Sequence, residues 1–330
     1  MAMVLQIRIF MKKFLFPLAL LLMGGCAEKT PGYAEYWLYW GDTQLDKWVS
    51  NATRLETVSQ AYCQGNLELV QLQNQIQDLA LTWAEINGLP YHAIADHNLS
   101  FELYFWPDKR DMTRARLSRR LQNEEALTEK TLEEATASEK GLLALEWVGF
   151  SDDLNRDQRC ALLPAISSHY LTNIRTISDY HAENPLVMSA WTRNAQNPEG
   201  RSIALNLLFQ QLANLSNSLR HSVNTSSGEL VPIIAQGWRM GISTEMFATS
   251  LNNVIRHLQV LAERVDLSAS TRKQLQTHIA ELDTISNELS DENFDWRALQ
   301  QAVIATERLI EGPIAQEQNV LLGFSNYDGD

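Results

Sequence analysis

The sequence predicts an all-α protein built of two helical bundles, and three observations support this fold class. Apolar residues recur every three or four positions through most of the chain, which is the spacing of one helix face. No segment alternates apolar and polar residues with the period of two that a strand requires. Long amphipathic helices bury their apolar faces against each other, and 330 residues are too many for one four-helix bundle.

The helical segments can be followed along the chain by their apolar stripes. Stripes at helical spacing begin at Leu69, Leu205, Phe247, Leu275 and Leu299. Turn-forming sequences at 87–90 and 197–200 are predicted to end helices, and another at 225–228 begins an irregular stretch. We place the domain boundary between residues 184 and 200, which gives a first bundle over 34–190 and a second over 191–330.

Hydroxyl and carboxyl side chains mark the start of two helices in the second half. Ser268 and Ser270 stand before the helix that contains Arg272, and Ser290 or Asp291 precedes the last helix. Such side chains accept hydrogen bonds from the free N–H groups of a first helical turn. We therefore predict N-caps at these positions.

Composition excludes several classes of protein. The chain is 45% apolar and 20% charged, which is too apolar for a disordered chain and too polar for a multi-span membrane protein. Its net charge of -13 argues against a general affinity for nucleic acid or anionic lipid, because both require clustered Lys and Arg. We expect no nucleic-acid partner.

The N-terminus is typical of an exported lipoprotein. Lys12 and Lys13 precede an apolar run over 14–23, and two glycines then lead to Cys26. We predict a signal peptide over 1–25, lipidation of Cys26, and a tether over 26–33 that attaches the protein to the lipid bilayer. Ala27 follows the lipidation site where Asp would favour the inner membrane, so we expect the periplasmic side of the outer membrane. The alternative is a protein that is cleaved and released as a soluble protein. Met11 is a more natural start of translation than Met1.

Export also determines how the other two cysteines are interpreted. Cys63 and Cys160 are the remaining pair in an oxidising compartment, so we predict a disulfide between them. The alternative is two buried thiols.

Familiar catalytic signatures are absent from the sequence. It contains no Gly-x-Ser-x-Gly, no phosphate-binding glycine loop, no His-Glu-x-x-His and no Cys-x-x-Cys. His278 with Glu281, and His92 with His97 near Glu102, have spacings that a metal could use. A solvent-exposed helix face is the better interpretation of the first pair.

Three segments are not explained by helix formation alone. Trp106-Pro-Asp-Lys-Arg110 follows a dense aromatic run, and residues 140–150 form an apolar segment with one acid, Glu146. The tail over 322–330 contains Asp328 and Asp330, which suit a hard cation or belong to a frayed end.

These segments carry a resemblance to a known family. The chain resembles the imelysin-like proteins, in particular their predicted periplasmic lipoprotein branch. The resemblance rests on the run at 106–110, Gly141 to Glu146, Arg159-Cys-Ala161, Gly237 to Ser243, and the ending over 323–330. It implies two helical bundles arranged as a diverged repeat. It also implies an association with iron regulation and uptake, with iron or another divalent metal as the ligand.

The family signature, Gly-x-His-x-x-Glu, is incomplete in this chain. Gly141 and Glu146 match, but Leu143 occupies the His position. Leucine cannot bind a metal. A single carboxylate is not enough to hold a metal ion, and if it did act as a ligand no second group would remain to act as the base for a metal-activated water. Glu146 is thus a metal ligand only by family resemblance, and the incomplete signature argues against peptidase activity.

We therefore predict a binding site rather than a catalytic site. A buried Glu146 requires a partner, for which Arg239 is our candidate. The predicted site contains these two residues and, from the neighbouring segments, Trp106, Asp108, Lys109, Arg110 and Ser243. Two alternatives stay open: Glu146 and Arg239 lock the bundles together, and Asp108 caps a helix.

The function we expect is that of a non-enzymatic binding protein in the acquisition of iron, another metal or a metal chelate. One alternative is a metallopeptidase. The other is an envelope assembly protein that docks an outer-membrane receptor or a redox partner.

Overall fold

The computed structural model describes residues 32–86, 92–123, 127–183, 198–291 and 293–322, and this part of the chain is helical. Its one extended pairing is an isolated bridge between Val223 and Leu230. The predicted all-α class is therefore confirmed. The predictions for the signal peptide, Cys26, the breaker at 87–90 and the tail over 323–330 lie outside the described residues.

The helices differ widely in length, from four residues to 31. The α-helices are α1 (Tyr33–Cys63), α2 (Leu69–Ile86), α3 (His92–Asp96), α4 (Ser100–Leu103), α5 (Met112–Gln122), α6 (Glu129–Glu133), α7 (Gly141–Phe150), α8 (Arg156–Glu183), α9 (Pro198–Ser222), α10 (Ser243–Arg264), α11 (Ala269–Glu288), α12 (Trp296–Leu309) and α13 (Ala315–Gln318). Short 3-10 turns span Ala137–Glu139 and Pro232–Ile234, and a π-helical turn spans Ile310–Ile314. Within the described ranges, no helix is both long and apolar enough to cross a membrane.

Helix α1 lies at the centre of the packing, against α2, α8 and α9. It buries an aromatic and apolar face that the predicted stripes do not include, and this face contains Trp37, Trp40, Trp48 and Leu55. Successive members of this set are three, eight and seven residues apart, which keeps them on one side of the helix.

The helices before and after the predicted boundary share one core. Helix α2 packs against α10, where the Ser250 hydroxyl donates to the Ala84 carbonyl (2.9 Å) and the Asn253 amide donates to the Glu85 carbonyl (3.1 Å). The chain from Gly32 onward forms one compact unit. The division into bundles over 34–190 and 191–330 stays a prediction, and the connection over 184–197 lies outside the described residues.

The predicted disulfide is present between Cys63 and Cys160, with Cα atoms 5.5 Å apart. It joins the last residue of α1 to the first turns of α8. Cys160 follows Arg159, whose side chain donates to the Val148 carbonyl in the last turn of α7 and to the Ser151 and Leu154 carbonyls in the connection to α8. The disulfide between α1 and α8 therefore lies next to a second link, the hydrogen bonds that join α8 to α7.

Three predicted helix ends had different outcomes. Ser268 does cap α11, since its hydroxyl accepts from Thr271 N–H at 3.2 Å. The cap of α12 is Asp295 rather than Ser290 or Asp291, because the turn after α11 continues to that residue. At 197–200, Pro198 begins α9, where a missing N–H costs no hydrogen bond. The segment that this sequence was predicted to end lies outside the described residues.

Candidate functional site

Helix α7 places Glu146 in the interior. All residues from Gly141 to Gly149 are buried, and Glu146 is 0% exposed. The helix begins where the chain passes very close to the backbone of Glu102 and Leu103. Gly141 has φ +71°, and a Cβ there would lie 2.3 Å from the Glu102 carbonyl oxygen. Glycine is therefore required at the first position of the signature for a steric reason.

We expect Gly141→Ala to lower the free energy of unfolding by about 3 kcal/mol, from the left-handed backbone and the clash together. Urea denaturation measures the change. Gly41→Ala is the matched control, because it lies within α1 and its Cβ would meet nothing within 4 Å. We expect the control to be neutral or slightly stabilising. Equal effects of the two substitutions would contradict this account of Gly141.

The Glu146 carboxylate is held by backbone amides. Its Oε1 accepts from the Arg239 N–H at 2.9 Å, and the Met240 N–H also stabilises the charged form. Among the described residues no donor reaches Oε2. Burial raises the pKa of Glu146 to about 7, against the opposing effect of these amides and of the Arg239 charge. One oxygen of a fully buried acid is thus left for a further hydrogen bond.

The Arg239 side chain does not pair directly with Glu146, which differs from the simplest expectation. Its Nη2 lies 2.7 Å from Asp111 Oδ1, and the guanidinium stacks on Trp238 with its carbon 4.5 Å from the ring centre. Asp111 is partly exposed and stays hydrated, whereas a second charge beside Glu146 would lose its hydration. The backbone N–H supplies the contact with Glu146 without that cost.

The segment at 106–110 packs against the loop that precedes Arg239. The Trp106 indole N–H donates to the Ile234 carbonyl at 2.9 Å. Asp108 caps α5, since its two carboxylate oxygens accept from Met112 N–H and Thr113 N–H at 2.8 Å each. Lys109 and Arg110 are exposed.

The structure thus brings Glu146 and Arg239 into contact and connects Trp106 and Asp108 to them through neighbouring loops. Ser243 is half-buried at the start of α10, six residues after Gly237. The sequence did not predict Asp111 as a site residue. Its carboxylate pairs with the Arg239 guanidinium, and it directly follows the segment at 106–110.

Two further residues beside the site were not anticipated. Trp238 supports the Arg239 guanidinium, and the Tyr104 ring is buried near Glu146. Burial, followed by the Glu146 charge, raises the pKa of Tyr104. Trp238 lies within the segment from Gly237 to Ser243, and Tyr104 lies in the aromatic run before Trp106. Membership of these two segments was the feature of the sequence that could have identified them.

A protein-held metal does not fit this site. Within the described ranges, no three His, Cys, Asp or Glu side chains lie close enough together to hold one. Leu143 is buried and contributes no ligand, while one Glu146 oxygen is already bound to backbone N–H.

The weaker metal candidates have other contacts. His278 Nδ1 lies 3.3 Å from the Thr306 hydroxyl, and His97 packs edge-on against Tyr180. The side chain of His92, like Asp328 and Asp330, lies outside the described residues.

Glu102 joins a separate polar cluster next to Gly141. Its Oε1 lies 2.9 Å from Lys140 Nζ, and its Oε2 lies 3.1 Å from His169 Nε2. Burial opposes ionisation of Glu102, but the contacts with Lys140 and His169 outweigh it and lower the pKa. The ion pair with Glu102 fixes Lys140 and with it the start of α7.

A second buried polar group, His257 on α10, lies far from the signature in sequence. Its ring is 0% exposed and packs between Trp37 and Trp40, with centroid separations of 4.1 and 4.4 Å. Its Nδ1 lies 2.7 Å from the Gln211 side-chain oxygen. Burial, with a smaller effect of the Arg256 charge, lowers the pKa of His257 to about 3. The aromatic spacing in α1 was the signal for this cluster.

This is an all-α protein in which a buried carboxylate, that of Glu146, faces the Gly-Trp-Arg loop at 237–239. The sequence matches the imelysin family, peptidase M75, over residues 41–311, and the chain belongs to that family. The fold is similar to the crystal structure of an imelysin-like protein from Psychrobacter arcticum 273-4, with a TM-score of 0.74. The two are 17% identical, and the similarity covers 88% of this chain and 97% of the other. Among curated proteins, none matches this sequence.

Proposed function

We propose that this protein is a lipid-anchored, non-enzymatic member of the imelysin family that binds a metal chelate, such as an iron chelate, on the periplasmic side of the outer membrane. The observation that carries the proposal is the state of Glu146. It is a lone carboxylate, buried and bound by the Arg239 N–H, with Leu143 at the signature's His position. Such a group lacks the partners needed to hold a catalytic metal and activate water.

A chelate suits the site better than a bare ion. A bare cation needs several oxygen, nitrogen or sulfur ligands from the protein, whereas a chelate brings its own ligands. Anionic chelators offer carboxylates, which the planar Arg239 guanidinium recognises in a bidentate manner. Arg239 is held ready by Asp111 and by the Trp238 ring. Ligand carboxylates would compete with Asp111 for this guanidinium.

Calorimetric titration of the purified chain without its N-terminal leader tests the proposal. The probes are ferric citrate, citrate alone and ferric ion alone. We expect ferric citrate to bind, and Arg239→Gln to weaken the binding at least tenfold through loss of the bidentate contact. Arg297→Gln is the control, because it removes an arginine paired with a different acid, Asp295.

Two results would overturn the proposal. One is the absence of ferric citrate binding below millimolar concentration, and the other is equal binding by the wild type and Arg239→Gln. The metallopeptidase alternative makes a separate prediction, namely chelator-sensitive cleavage of a protein substrate that Glu146→Gln abolishes. We expect no such cleavage.

A further inference from the structure

Positive charge is concentrated in one segment of this acidic chain. Residues 109–120 contain six of the 27 basic residues and one of the 40 acidic residues. They form the exposed turn before α5 and most of α5 itself. Thr113 and Leu117 face the core, and Arg120 reaches the buried Glu139. The other basic side chains are exposed or, in the case of Arg116, half-buried.

Several of these cations are not neutralised by ion pairs. Arg114 pairs with Asp111, and Arg120 pairs with Glu139. Within the described part of the chain, no acidic group lies within ion-pair distance of the other four, which are Lys109, Arg110, Arg116 and Arg119. The segment therefore keeps a net positive charge at the surface.

Exposed apolar side chains lie in α4 and in the 3-10 turn Pro232–Ile234, and both elements contact the aromatic run that leads to Lys109. Phe101 is 59% exposed, and its ring packs 6.3 Å from that of Phe105 in the aromatic run that leads to Lys109. Ile233 is 63% exposed and precedes the residue that accepts the Trp106 indole hydrogen bond. Large apolar groups next to basic ones are a combination found at membrane interfaces.

We propose that this surface binds an anionic lipid membrane; we call it the basic apolar surface and define it by Phe101, Lys109, Arg110, Arg116, Arg119 and Ile233. The basic groups attract lipid phosphates, and the two apolar side chains enter the interfacial region. An acidic protein partner would satisfy the charges but would not account for the exposed Phe101 and Ile233.

The net charge of -13 argued against a general affinity for anionic lipid. A single basic surface can still bind anionic lipid on a chain with this net charge. Charges farther away than about 8 to 10 Å are screened at physiological salt, so only groups at the contact decide its sign. The proposed lipid anchor supports a membrane as the partner. The segment from Cys26 to Gly32 extends at most about 25 Å, which keeps the helices close to the bilayer.

Membrane contact at this surface also affects the proposed ligand site. Asp111, which holds Arg239, stands next to Arg110 in the same turn. The site would therefore lie at the membrane surface, where ligands released from an outer-membrane protein arrive first. This consequence rests on the proposed function, whereas the membrane contact does not.

Vesicle co-sedimentation of the unlipidated chain tests the membrane contact. The vesicles are phosphatidylcholine alone, or phosphatidylcholine with about a third phosphatidylglycerol. We expect binding to the anionic vesicles alone, decreasing with salt. Replacing Arg116 and Arg119 together by Gln should lower the partition coefficient about 25-fold, or roughly fivefold for each charge. Phe101→Ser should weaken binding without changing its dependence on salt.

The control is a double variant, Lys273→Gln with Arg308→Gln, which removes two exposed cations elsewhere and changes the net charge equally. It should bind like the wild type. Equal loss in both double variants, or equal binding to neutral and anionic vesicles, would overturn the proposal. So would retention by immobilised polyglutamate without vesicle binding, since that assigns the surface to an acidic protein. Arg239→Gln should keep vesicle binding, which separates this test from that of the ligand site.

Discussion

Replacing Cys63 and Cys160 together with serine should lower the free energy of unfolding by about 4 to 5 kcal/mol. The bond closes a sequence separation of 97 residues, and a crosslink over such a loop removes much of the conformational entropy of the unfolded chain. The folded state should change little, because both side chains pack at the edge of an existing core.

Urea denaturation followed by circular dichroism measures this loss. The wild type unfolded with a reductant present should match the double serine variant, which separates the crosslink from any effect of the new hydroxyl groups. A difference of less than about 1 kcal/mol between the oxidised wild type and the variant would show that the crosslink does not stabilise the fold in this way.

Acid should destabilise the protein through His257. Burial lowers the pKa of this imidazole in the folded state to about 3, whereas in an unfolded chain it is near 6.5. The unfolded state therefore binds the proton first, and stability is lost as the pH falls below 6.5. The loss is about 2 kcal/mol at pH 5 and about 4 to 5 kcal/mol near pH 3.

His257→Gln isolates this effect, because it removes the titrating ring from its position between Trp37 and Trp40. The variant should be less stable than the wild type at pH 7.5, and the difference should shrink by about 2 kcal/mol at pH 5. Glu146 acts in the opposite direction: its raised pKa gives stability that is lost as the pH rises from about 4.5 to about 7. That contribution is present in both proteins and cancels.

Urea denaturation at both pH values provides the measurement, with His97→Gln as the control for replacing an exposed imidazole. A constant difference between wild type and His257→Gln across this range would refute the assignment of the acid effect to His257.

Features that depend on local spacing were predictable from the sequence. Apolar periodicity indicated the long helices, and Ser268 was identified as a cap because it acts within one turn. The disulfide followed from the predicted export and from counting the cysteines that remain besides Cys26, without knowledge of the packing. The family was predicted from short motifs whose order along the chain is specific.

Features that depend on three-dimensional proximity were only partly predictable. The contact of Glu146 with the Arg239 segment was anticipated, but a sequence does not show whether a backbone amide or a guanidinium makes it. The same limit applies to Asp111, which meets Arg239 across 128 residues. The central position of helix α1 was not predicted, because its aromatic stripe is buried against helices that follow later in the chain, among them α2, α8 and α10.

The hydrogen bonds that the Arg159 side chain donates at and just after the end of α7 affect how this part of the structure can open locally. One carbonyl in the last turn of this helix and two in the connection that follows it are bound by a side chain from α8. Helix α7 is also buried along nearly its whole length, so it cannot open by itself without exposing apolar surface. Its amide hydrogens can then exchange with solvent only when the whole compact unit unfolds, and the Glu146 carboxylate is as inaccessible to transient solvent entry as the core itself.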